Sequence, residues 1–268
     1  TLPLSHSPTL PLSHSPTLKM LYRHILTVAL GLAATLSTSI PTSAQDSATP
    51  ETAPAVLRSL QGGEDTVLFN GKTLEGWRGR DDLWAAEDGA IVGRTTDKEP
   101  IKQNTFLILD DEIEGDFELT LQFKIDGGNS GIQYHSRVVN EDEFVVSGYQ
   151  ADIDAANHYA GILYEEKGRG ILALRGQNVI IGEDGKKQVE KFADATELGK
   201  GIHPGQWNDY RIVVRGSQLE HFINGAQTIK VTDNQSEKSR DSGVLALQLH
   251  QGPAMTVRFK NITLRQWK

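Results

Sequence analysis

FELTLQFKIDGGNSGIQYHSR, residues 117–137, sets the reading of the whole chain. Phe117, Leu119, Leu121, Phe123 and Ile125 alternate with Glu118, Thr120, Gln122 and Lys124. Successive side chains of a strand point to opposite faces, so this run predicts a strand with one face in a core. The second half, GGNSGIQYHSR (127–137), and the nearby GYQADID (148–154) alternate differently. Gln133, His135 and Arg137 share one face of the first run, and Gln150, Asp152 and Asp154 share one face of the second. Ile132, Tyr134, Ala151 and Ile153 turn the other way. Amide, imidazole, guanidinium and carboxylate in alternation suit a ligand better than a core or a plain solvated surface.

Working outward, the same period recurs. LWAAEDGAIVGRT (83–95) predicts a hairpin on Asp88-Gly89, and Asn224-Gly225 predicts another, because these dipeptides tolerate the positive φ of a two-residue turn. Asp184-Gly185 marks a further tight turn, and Asn70-Gly71 opens the folded region beside Leu74 and Trp77. In GVLALQLH (243–250), Leu245, Leu247 and Leu249 alternate with Ala246, Gln248 and His250. That pattern puts Gln248 and His250 on the polar face with the trios above. Tyr164, Glu165 and Arg169, in ILYEEKGRG (162–170), read as a loop over its rim. Helix signals are confined to a turn or two at 152–159 and 194–198. Trp77, Trp84 and Trp207 read as core residues. Many short alternating strands without intervening helices predict an all-β jelly-roll sandwich.

The chain has 268 residues, a net charge of -8 and no cysteine. The acidic balance and the lack of a basic stripe argue against a nucleic-acid partner. Without cysteine there are no disulfides, thiolate metal sites or Cys nucleophile. Residues 1–8 repeat without change at 9–16, and residues 1–19 read as an upstream extension. From Met20 the pattern is secretory: Arg23, the apolar run 25–36, then small residues ending at Ala44. A run of that length is too short to span a bilayer. The expected organisation is a signal peptide at 20–44, a Pro/Ala/Thr-rich linker at 45–63 and one domain at 64–268, exported to the periplasm or beyond, with no membrane association after cleavage.

LFNGKTLEGW (68–77), WAAEDGAIVG (84–93), GDFELTLQFKI (115–125), GGNSGIQY (127–134), GYQADI (148–153), QWNDYRIVVRG (206–216), HFINGAQT (221–228) and FKNITLRQ (259–266) occur in this order. Together they resemble the 3-keto-disaccharide hydrolase domain family across 64–268. The resemblance implies a concanavalin-like, glucanase-type jelly roll in an exported bacterial protein that acts on glycosides carrying a ketone at C3. An oxidoreductase that supplies the keto-sugar is an open partner.

Two chemistries fit the polar face. Asp152 and Asp154, two residues apart on one strand, would have the spacing of a retaining carboxylate pair, roughly 6.5–7 Å between Cα atoms. A 3-keto sugar allows another route: the ketone acidifies the C2 proton, a base removes it, the C1 group leaves, and water adds back. On that route Asp152 or His135 is the candidate base. Gln133 and Arg137 would hold the enolate or ring hydroxyls, while Gln150, Tyr164, Glu165, Arg169, Gln248 and His250 line the substrate. Blander roles compete: Arg137 could pair with Glu141 or Asp142, and Asp154 could cap a turn before Ala155. No cofactor is evident, and Asp and Asn oxygens leave a divalent cation, calcium or a transition metal, open. The alternative to an enzyme is a carbohydrate-binding module on the same scaffold.

Overall fold

The computed structural model describes residues 63–267. The predicted extension, signal peptide and almost all of the linker lie outside the described residues. The elements are, in order, β1 (Asp65–Val67), β2 (Trp77–Arg78), β3 (Trp84–Glu87), β4 (Ala90–Arg94), β5 (Thr105–Glu114) and β6 (Phe117–Asp126). Next come β7 (Asn129–Asn140), β8 (Val145–Asp154), β9 (Leu163–Glu166), β10 (Gly170–Ala173), β11 (Gln177–Ile181) and β12 (Lys187–Lys191). After helix α1 (Ala195–Lys200) follow β13 (Asn208–Arg215), β14 (Gln218–Ile223), β15 (Ala226–Asp233), β16 (Ser242–Leu249) and β17 (Thr256–Gln266). No helix among the described residues is long and apolar enough to cross a membrane.

The strands form two sheets. The larger runs β12-β11-β15-β14-β13-β6-β17-β4-β3, with β1 added on β17; the smaller runs β10-β9-β8-β7-β16-β5-β2. The expected jelly-roll sandwich is the observed fold. β6 behaves as its pattern dictates: Phe117, Leu119, Leu121, Phe123 and Ile125 are buried, and the residues between them are only half covered. The core between the sheets takes these together with Ile132, Tyr134, Tyr149, Ala151, Ile153, Leu245, Leu247 and Leu249 of the smaller sheet. Asp88-Gly89 (φ 50° and 76°) and Asn224-Gly225 (φ 49° and 81°) make the two predicted hairpin turns. Asp194 caps α1 by accepting from the backbone N–H groups of Thr196 and Glu197. No helix forms at 152–159, where β8 runs on to Asp154 and a turn follows. Trp207 departs from expectation: it is half-exposed, with the Lys260 ammonium 4.1 Å from its ring centroid.

β7 and β8 do not run straight. The pairing slips between Tyr134 and Arg137, where the opposite strand passes only from Tyr149 to Ser147. Such a bulge carries extra residues on one strand, bends it and breaks the alternation of faces. His135 holds φ 44° within it. Gly148, at φ 152°, faces Ser136, and a Cβ there would run into the Ser136 side chain. Beyond the bulge the β7–β8 hairpin lies over one half of the smaller sheet's outer face. Val138 and Phe144 pack there on Phe106, Ile108, Val146, Val244 and Ala246. Its tip is tied to β5 by Phe106 N donating to Phe144 O and by Thr105 Oγ1 donating to Glu143 O, both at 2.9 Å.

Glu165 and Arg169 serve the fold. Arg169 donates to Glu165 at 2.8 Å and to Asp233 at 2.6 Å, and Tyr149 Oη donates to the same Asp233 carboxylate. This knot joins the β9–β10 turn of one sheet to the end of β15 in the other. The Asp233 side chain is 1% exposed, so removing its cation strands a buried charge. Arg169→Ala is expected to destabilise the protein by about 3–5 kcal/mol in urea unfolding, the cost of breaking a buried pair.

Candidate functional site

The uncovered half of the smaller sheet's outer face is the floor of a cavity of about 1050 Å³, in the size range of sites for drug-sized ligands. Its floor is built by strand register. Gln133 of β7 stands opposite Gln150 of β8, and Gln150 opposite Tyr164 of β9. Ala246 of β16 pairs with Gln133, which brings Gln248 to the same face. Because Leu245, Leu247 and Leu249 are fixed in the core, Gln248 has to face outward.

The polar side chains form one directed chain. Ser136 Oγ donates to Gln133 Oε1 at 2.7 Å, and Gln133 Nε2 donates to Gln150 Oε1 at 2.6 Å. Gln150 Nε2 then donates to Asp152 Oδ1 at 2.5 Å, and Asn129 Nδ2 donates to Asp152 Oδ2 at 3.1 Å. Gln248 Nε2 also donates to Gln150 Oε1, at 3.0 Å, and makes a longer contact of 3.5 Å to Glu166. Asn104 Nδ2 donates to the other Glu166 oxygen at 3.2 Å. Gly131 makes room for this chain, since a Cβ there would stand 2.5 Å from the Gln150 side chain. One acceptor on the floor, Gln248 Oε1, meets no donor among the described residues.

Two carboxyls therefore mark the floor. Asp152 is 5% exposed, and burial pushes its pKa up to about 7 against the opposing pull of the Gln150 and Asn129 hydrogen bonds. Burial likewise raises Glu166, against the Asn104 bond. Glu166 stands opposite Gly148, four residues along β8 from Asp152, and the side chains of Gln150 and Gln248 link the two carboxyls across the floor.

Of the residues singled out from sequence, the fold brings Asp152, Gln150, Tyr164, Gln248 and His250 to the cavity. Gln133 joins the chain but lies fully buried, acting on Gln150 from beneath. His135 does not reach the cavity. The bulge turns its ring inward against Phe117, at 5.1 Å between centroids, with Nδ1 3.2 Å from Arg240 O. Arg137 is exposed past the bulge and makes no ion pair among the described residues, with Glu141 and Asp142 included. Glu165 and Arg169 belong to the knot described above. Asp154 lines the cavity, but its carboxylate is taken up by the backbone N–H groups of Ala156, His158 and Tyr159, so it pins a turn and does not pair with Asp152. Glu166, Asn104 and Asn129 complete the floor without having been singled out. Glu166 adjoins Glu165 in sequence, and only the pairing of β9 with β8 tells which of the two faces the cavity. Among the described residues no three His, Asp or Glu side chains gather in a metal-binding cluster.

A family profile described as a 3-keto-alpha-glucoside-1,2-lyase-like domain matches residues 64–265. The chain belongs to this family. Membership in the 3-keto-glucoside lyase-like family makes it a carbohydrate-related jelly-roll protein, and the carboxyl-lined cavity is this member's candidate site. No curated protein matches the chain in sequence. Among solved structures, a Parabacteroides distasonis protein provisionally described as a glycosyl hydrolase is similar at 19% identity and TM-score 0.52, covering 76% of this chain and 100% of its own. A second protein from that organism, described in the same way, has 20% identity and TM-score 0.50 over 76% and 94% of the two chains. A Bacillus subtilis carbohydrate-binding module, CBM66, has 16% identity and TM-score 0.49 over 75% and 100%. At these identities the likeness is one of fold.

The raised pKa of Asp152 has a cost in stability. A carboxyl with a higher pKa folded than unfolded binds more protons in the native state between about pH 4 and 7, so it destabilises increasingly as pH rises through that window. Asp152→Asn is expected to match the wild-type melting temperature at pH 4 and to exceed it at pH 8. The gain corresponds to at most about 4 kcal/mol.

Proposed function

We propose that this protein cleaves 3-keto-glycosides by elimination and rehydration, with Asp152 as the base. The observation that carries this reading is a buried cavity-floor carboxyl, Asp152, held by two side-chain amides and with a pKa close to neutrality, the value at which a general base works best. The alternative route by paired carboxylates about 5–9 Å apart finds less support. Asp154, the partner carboxylate that the sequence spacing offered, is engaged by backbone amides instead.

In the proposed reaction Asp152 takes the proton from C2, whose acidity comes from the C3 ketone. The electron pair left on C2 forms the C1=C2 double bond as the C1–O bond breaks. Glu166, its pKa raised by burial, supplies the proton that the departing oxygen needs. Water then adds its hydroxyl to C1 and a proton returns to C2, restoring both carboxyls and completing net hydrolysis. Gln150 and Asn129 hold the Asp152 carboxylate in place. The free Gln248 carbonyl is matched to a sugar hydroxyl, which would satisfy an otherwise unpaired buried acceptor. The keto-sugar has to come from a reaction that oxidises a C3 hydroxyl. The secretory pattern of residues 20–44 supports action outside the cytoplasm.

Purified protein is expected to release the aglycone from a 3-keto-glucoside and not from the parent glucoside, with kcat/KM rising with pH through an apparent pKa near 7. Asp152→Asn should remove turnover. Glu166→Gln should lower it about 10²–10⁴-fold for a methoxide leaving group, while largely sparing a nitrophenolate that needs no acid. Binding of the keto-glucoside without release by the wild type would leave a carbohydrate-binding module in place of the enzyme.

A further inference from the structure

The wall of the cavity differs from its floor. Tyr159 is 48% exposed and Ile171 is 40% exposed, and both line the cavity. Ala155, Ala156, Ile162 and Pro253 also line the cavity, together with His158 and Gln251 from the loops. Large apolar side chains left open in a cavity mark a place where an apolar group settles.

This wall is held rigidly. Asp154 Oδ2 accepts from His158 N at 2.6 Å and from Tyr159 N at 3.1 Å, and Asp154 Oδ1 accepts from Ala156 N at 3.1 Å. One residue further into the turn, Asn157 Nδ2 donates to Gly199 O at 2.8 Å, and Arg175 donates to Asn157 Oδ1 at 3.0 Å. The His158 ring meets the Tyr159 ring edge-on at 6.5 Å. The Tyr159 ring is therefore carried on a pinned turn, and little ordering entropy is left to lose when a ligand docks on it.

Resting on the reading of the floor as a keto-sugar site, we propose that Tyr159 and Ile171 form the aglycone subsite, and that it selects a flat apolar aglycone, such as an aryl group, over a second sugar. The sugar ring lies on Gln150, Asp152, Glu166 and Gln248, where its hydroxyls find partners. The aglycone then leans on the Tyr159 ring and the Ile171 side chain, a surface that favours a flat apolar group. The cavity, at about 1050 Å³, leaves room for such a group beside the sugar. Asp154 acts here as a positioning residue, through the turn that carries Tyr159.

The test compares wild type with Tyr159→Ala, a half-exposed position where truncation leaves the core untouched. For phenyl 3-keto-glucoside the variant is expected to lose about 10-fold or more in kcat/KM, mostly through KM, whereas methyl 3-keto-glucoside stays within about twofold. Equal losses on both substrates, or no loss on phenyl, would overturn the subsite. Calorimetry with unoxidised phenyl glucoside separates this proposal from the catalytic one. Binding that weakens in Tyr159→Ala supports the subsite even if wild type turns over neither keto-glucoside, a result that sinks only the elimination reading. Phenyl glucoside binding that is indifferent to Tyr159 counts against the subsite whatever the turnover.

Discussion

Packing the inner face of the seven-stranded sheet onto the ten-stranded one leaves the polar side chains of its central strands a single place to go. Ile132, Tyr134, Tyr149, Ala151, Ile153, Leu245, Leu247 and Leu249 are committed to the core. Strand alternation then presents Gln133, Gln150, Asp152 and Gln248 on the opposite side. A register slip of one residue would bury the amides between the sheets and expose the leucines, so the large apolar area in the core also holds the site in place. The candidate chemistry rests on hydrophobic packing on the far side of the same strands.

The outer face then solves a second problem, because its polar groups are themselves withdrawn from water. A buried amide without a partner costs more than its hydrogen bond returns. Here the chain from Ser136 through Gln133 and Gln150 to Asp152 satisfies each member in turn, and every donor in it is aimed towards the carboxyl. Burial raises the proton affinity of Asp152 while these donors restrain the rise. A carboxyl balanced between the two is one that can both take and return a proton near neutrality. Desolvating it costs stability, and the apolar core between the sheets offsets that cost.

Ionisable residues close together in sequence divide between fold and site. Glu165 and Glu166 are neighbours on β9; one binds Arg169 between the sheets and the other faces the cavity. Asp152 and Asp154 share a strand face, yet Asp154 closes a turn with its carboxylate while Asp152 has both oxygens on side-chain amides. His135 is diverted by a bulge that also bends the β7–β8 hairpin over the apolar half of the sheet. The turn bearing Tyr159 lines the site on one side.

The strands, the Asp-Gly and Asn-Gly hairpins, the sandwich and the outward set Gln150, Asp152 and Gln248 were legible in the sequence, because each follows from a period of two or from a local turn preference. His135 was misplaced because a bulge breaks that period, and the bulge is accommodated by Gly148 and Gly243, where a Cβ would run into Ser136. Arg169 and Glu165 were misread as rim residues because the second partner of Arg169, Asp233, is far away in the chain and near only through sheet packing. Glu166 escaped notice because two adjacent glutamates carry no mark of which faces which side. Local alternation determined which side chains could share a face. Which of them meet, which are desolvated and which carboxyl is free to react was decided only when the strands paired, since burial and proximity are properties of long-range contacts.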